Sequence, residues 1–84
     1  MKVYLANDYQ ADLTLDCNGL VCPMPIVNLK IKIKTMEPGQ TLEILATDAA
    51  VESDIPAWCK ATKNEYIGMK EPNGDLYISY IRKK

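Results

Sequence analysis

Near its C-terminus the chain reads EYIGMKEPNGDLYISYIRK, residues 65–83, with Asn73-Gly74 set between two apolar-rich runs. Asn-Gly accepts positive φ at both positions and is the strongest short hairpin signal a sequence carries. The expectation is a hairpin of strands 65–71 and 76–82, joined by Pro72-Asn73-Gly74-Asp75. Everything upstream must then supply the elements that cover one face of this pair.

Three further patterned segments do so. ADLTLD (11–16) alternates, with Leu13 and Leu15 on one face, and Asn18-Gly19 ends it by turn chemistry. TLEILATD (41–48) puts Leu42, Ile44 and Ala46 on one face and Leu45 on the other, the mark of an interior strand. Between them the segment after Cys22 is ambiguous, because Leu29, Ile31 and Ile33 alternate with Lys30, Lys32 and Lys34 as in a strand. Ile26, Leu29, Ile33 and Met36 also fall on one helical face. Pro23 and Pro25 suit a first helical turn, and Pro38-Gly39 supplies a stop. The expectation is a helix over 24–36 with Ile31 partly exposed. A second helical region runs from Asp48 to about Lys63, with an early turn and a main helix from about Pro56, Trp58 and Cys59 facing the sheet. Residues 1–10 form a loosely attached lead-in in which VYL is a candidate short strand. The order is βαβαββ: an α+β, two-layer α/β sandwich with two helices on one face of a four-stranded mixed sheet, in one domain over 1–84.

Composition narrows the function classes. With 84 residues, 48% hydrophobic and 25% charged, the chain has the makeup of an ordinary globular domain with a modest core. No apolar run approaches the roughly 20 residues needed to cross a bilayer. The start MKVYLAND lacks the pattern of a secretory signal, so a soluble, cytoplasmic protein is expected, without membrane insertion. Ten basic against eleven acidic side chains leave a formal net charge of −1, a poor balance for nucleic acid. The five tyrosines, with no Phe and no basic interleaving, read as strand packing rather than base stacking. Lysines gather at 30–34, where a basic face could meet an acidic partner protein.

Three cysteines, Cys17, Cys22 and Cys59, are an odd number and argue against a disulfide framework. The chain has no histidine and no Cys-x-x-Cys pair, so neither a zinc site nor a Cys-His dyad is expected. No metal and no organic cofactor is expected either. The stretch LDCNGLVCPMP (15–25) places Cys22 at the start of the first helix, where free N–H groups and the helix dipole stabilise an anion. Helix N-termini lower a thiol pKa to about 7.5 or below, and a fall of two units needs about 2.7 kcal/mol. Pro23 and Pro25 fix two φ angles and hold the sulfur at a rigid tip. A small buried residue is the commonest fate of a free cysteine; Gly19 before Cys22 and two prolines after it favour a nucleophile.

These residues carry a resemblance. LDCNGLVCPMP, TDAAVESDIPAWC and the terminal IRK resemble the TusA/SirA-like sulfur carrier family, whose recurring motif is Gly-Leu-x-Cys-Pro-x-Pro. The resemblance spans about residues 13–83 and implies the same βαβαββ sandwich. It implies that Cys22 carries sulfur as a persulfide, that Gly19, Pro23 and Pro25 shape its loop, and that Asp54-Ile55-Pro56 is structural. It also implies transient partners: a sulfur donor, such as a cysteine desulfurase or a rhodanese-like protein, and an acceptor protein. Val21 stands where many members carry a polar or basic residue.

Cys17, five residues before Cys22, is either a small residue at a strand end or a resolving or redox thiol; Cys59 beside Trp58 reads as core packing. Two other functions stay open on the sequence: a thiol-disulfide module using Cys17 and Cys22, and a noncatalytic binding or regulatory domain of the same fold.

Overall fold

The computed structural model describes residues 4–5, 11–20, 24–70 and 74–84. Seven elements follow in order: β1 (Tyr4–Leu5), β2 (Leu13–Cys17), α1 (Met24–Ile33), β3 (Thr41–Ala46), α2 (Val51–Thr62), β4 (Glu65–Lys70) and β5 (Tyr77–Arg82). The strands form one mixed sheet in the order β1-β4-β5-β3-β2. β2 and β3 are parallel, joined through α1, while β3-β5 and β4-β5 are antiparallel. The expected four-stranded sheet is therefore present, and the VYL stretch adds a two-residue fifth strand, β1, parallel to β4 at the edge.

Register explains the core. Leu13, Leu15 and Cys17 stand beside Leu42, Ile44 and Ala46, which in turn face Ile81, Ser79 and Tyr77. Apart from Ser79, these side chains pack in one cluster with Leu29, Ile26 and Ile33 of α1 and Val51, Ile55, Trp58 and Cys59 of α2. Both helices thus cover the same sheet face, as the alternation requires. On the other face Tyr80 Oη donates to Glu43 Oε2 at 2.5 Å, directly across the β3-β5 pair. Lys70 Nζ sits 5.5 Å from the centre of the Tyr80 ring, a cation-π distance.

Two helix boundaries differ from expectation. α1 begins at Met24 as expected but ends at Ile33, and residues 34–36 continue as tight turns. Thr35 and Met36 N–H reach the carbonyls of Lys32 and Ile33, and Thr35 Oγ1 also donates to Lys32 O at 2.7 Å, local bonding that competes with a regular last turn. α2 is continuous from Val51, with Pro56 inside it rather than at its start. Asp48 explains this: its Oδ1 accepts from Ala50 N at 3.0 Å and its carbonyl from Val51 N at 3.2 Å, so the helix is nucleated five residues before the proline. Pro56 keeps a helical φ there and forgoes one backbone bond.

The hairpin forms as expected, with a register shift between Tyr66 and Gly68 and Gly74 at φ 60° in the turn. Pro72 and Asn73 lie outside the described residues.

Candidate functional site

Because β2 and β3 are parallel, their C-terminal ends meet at one end of the sheet, and the segments leaving them become neighbours. At the end of β2 the chain reverses through Asn18 and Gly19. Asp16 Oδ1 accepts from Asn18 N at 2.9 Å and Cys17 O accepts from Leu20 N at 3.1 Å, closing an Asx-type turn. Gly19 takes φ 81°, a left-handed value that glycine adopts freely. Its N–H donates 2.9 Å to Thr47 Oγ1, in the segment that leaves β3. That bond links two loops 28 residues apart.

The expected site residues fare as follows. Gly19 lies in this turn, and Pro25 is buried in the first turn of α1, where an absent N–H leaves no helical bond unmade. Cys22 and Pro23, with Val21, lie outside the described residues. Cys17 ends β2 with its side chain fully buried and its thiol free. Burial first, then the adjacent Asp16 carboxylate, pushes its pKa up. Cys59 is likewise a free, buried thiol, and burial raises its pKa to about 11. Trp58 and Cys59 face the sheet as expected.

Two features had escaped the sequence reading. Thr47 has no local signal, since its partner is remote in sequence; the Asx turn could have been read from Asp16-Cys17-Asn18-Gly19. The second is on α1, where Met24 and Val27 are exposed along with Ile31, whose exposure alone was expected. Among the described residues no group of three or more Cys, Asp or Glu could hold a metal ion, and no helix is long and apolar enough to cross a membrane.

The architecture is that of a two-layer sandwich with a turn-and-helix-start site at the ends of two parallel strands. The family described as Sulfurtransferase TusA matches residues 13–83, and the chain belongs to that family. YrkF of Bacillus subtilis, which carries a sulfur-carrier name, is 43% identical over 74 residues, covering 88% of this chain. This chain spans 40% of that relative's length. A protein of Halobacterium salinarum, also named for sulfur carriage, is 39% identical over 94% of this chain and 98% of its own. The sulfur carrier protein TusA of Pseudomonas aeruginosa (strain PAO1) is 37% identical over 90% of this chain and 95% of its own. Among solved structures, a SirA-like protein from Desulfitobacterium hafniense superposes with a TM-score of 0.73 at 18% identity, covering 83% of this chain and 95% of that one, a likeness of fold.

Proposed function

We propose that the chain is a sulfur carrier that accepts and passes on persulfide sulfur at Cys22. The observation that supports this assignment best is the fate of the other two thiols: Cys17 and Cys59 are 0% and 1% exposed, with pKa values raised by burial. Thiolate is the nucleophile, and a buried thiol held protonated is inert. By the Cys-Pro-x-Pro motif, Cys22 is the thiol that remains for chemistry. The same burial speaks against Cys17 as a resolving or redox partner, since its sulfur would have to leave the core.

In the transfer step Cys22 thiolate attacks the outer sulfur of a donor persulfide. A new S–S bond forms to Cys22, the donor's S–S bond breaks, and the donor cysteine leaves as its thiolate. The outer sulfur keeps its hydrogen, and no external oxidant or reductant enters. Delivery to an acceptor thiolate is the same exchange in reverse, so donor and acceptor bind transiently in turn. A cysteine desulfurase or a rhodanese-like protein suits the donor role, and the cytoplasm, which keeps unpaired thiols reduced, suits the compartment.

The test is intact mass and peptide mapping after incubation with cysteine desulfurase and cysteine, or rhodanese and thiosulfate. One added sulfur confined to the Cys22 peptide, absent in Cys22→Ser, is expected. A Cys22→Ser protein that loads sulfur like the wild type overturns the assignment.

A further inference from the structure

Among the described residues three large apolar side chains are exposed, Met24 at 42%, Val27 at 38% and Ile31 at 62%, and all three belong to α1. At about 100° per residue they fall within about 60° of helical arc. Pro25 and Leu29, the buried residues of α1, and Ile26 and Ile33, packed against the core, lie on the opposite side. The helix is therefore apolar on both its inner and outer faces. Such a helix is normally covered on both. Here, among the described residues, only the side facing the sheet is covered.

The surroundings of this stripe specify what covers the other. Lys30 and Lys34 are exposed beside it, and α1 with the turn that follows, residues 24–35, holds no acidic residue. Two copies meeting through this face would set lysines against lysines, which disfavours self-association. A lipid surface asks for a broad apolar face, whereas this one is three side chains wide open over about 10 Å of helix. Met24 is two residues from Cys22, within about 7 Å along an extended backbone.

We propose that the Met24-Val27-Ile31 stripe with its lysine flank is the docking surface for the protein that exchanges sulfur with Cys22, and that this partner offers an apolar patch bordered by carboxylates. The proposal rests on the carrier reading above. The apolar contact supplies affinity, and the lysines steer the encounter and set its orientation. Because the stripe adjoins the sulfur-bearing loop, donor and acceptor occupy it alternately.

The experiment compares wild type with Val27→Gln/Ile31→Gln, whose new side chains favour helix at exposed positions, and with Lys30→Glu/Lys34→Glu. Sulfur loading is timed from three sources: a persulfide-loaded rhodanese, a cysteine desulfurase with cysteine, and inorganic polysulfide. With at least one protein donor, both variants are expected to load roughly tenfold or more slowly, about 1.4 kcal/mol of lost docking. With polysulfide they match the wild type and the added sulfur stays confined to the Cys22 peptide, as it does only in a folded chain that keeps Cys17 and Cys59 buried. Equal rates from the protein donors overturn the docking proposal while leaving the carrier reading intact, as does wild-type loading from polysulfide alone. Wild-type failure with all three sources overturns the carrier reading and the docking surface together. A wild-type dimer abolished by the glutamine variant, or flotation with phosphatidylglycerol vesicles lost in it, assigns the stripe to a second copy or to lipid and overturns the proposal.

Discussion

Gly19→Ala isolates the backbone cost of the turn that precedes Cys22. Gly19 holds φ 81°, and a Cβ built there meets no heavy atom within 4 Å. The substitution therefore creates no clash, and its cost is conformational alone. Placing an L-residue in the left-handed region costs about 1–2 kcal/mol. Against this, alanine lowers the entropy of the unfolded chain relative to glycine, which returns about 0.4–1 kcal/mol. The net loss expected is about 1 kcal/mol, or roughly 4–8 °C in Tm for a domain of this size. D-alanine, introduced by ligation at Cys22, prefers positive φ, so it keeps the entropic gain without the strain and raises stability by about 0.4–1 kcal/mol. Urea unfolding followed by fluorescence of Trp58, the single tryptophan, measures both. The opposite order of L- and D-alanine, or a loss above about 3 kcal/mol for L-alanine, a cost on the scale of a core defect, refutes the reasoning.

Two other outcomes follow from buried groups. Ser79 Oγ is buried and has no hydrogen-bond partner among the described residues, so Ser79→Ala removes an unmet polar group and is expected to raise stability by about 1 kcal/mol in the same urea assay; a comparable loss would show that the hydroxyl is satisfied after all. Cys59 has a folded pKa raised from an ordinary 9.0 to about 11, and Cys17 is shifted in the same direction. The unfolded chain therefore releases these protons first, and the stability they contribute, intact below pH 9, falls as pH rises toward 11. Cys59→Ala should show a shallower decline over that window, and an unchanged slope counts against the burial argument.

Much of the fold was legible because its determinants are local. The alternation at Leu13 and Leu15 and at Leu42, Ile44 and Ala46 became the sheet face that meets the core, with Cys17 added at the strand's end, and Asn73-Gly74 marked the hairpin, with Gly74 at positive φ. Pro56 misled because a proline near a helix start signals a boundary only when no turn upstream has already begun the helix, and the Asp48 turn to Ala50 and Val51 does so here. The Thr47-Gly19 bond was invisible for a different reason: it exists only once β2 and β3 lie parallel and bring residues 28 apart to one end of the sheet. The central site residue was read from its motif, and the structure contributes by sealing the two competing thiols in the core.

Ile31 joins the sequence pattern to the function. Leu29, Ile31 and Ile33 alternate with lysines, a pattern that a half-buried strand would satisfy and an amphipathic helix would not. In the helix that forms, Leu29 is buried and Ile33 packs on the core, while Ile31 is 62% exposed. The residue that made the segment ambiguous is the one the fold leaves unburied. A chain selected only to cover its own sheet would carry a polar residue there, since an exposed isoleucine adds nothing to folding and has lower helix propensity than lysine or glutamate. With Met24 and Val27 on the same outer face, the mixed periodicity of α1 is accounted for by two requirements placed on one helix, an inner face for the sheet and an outer one for a partner at the cysteine loop.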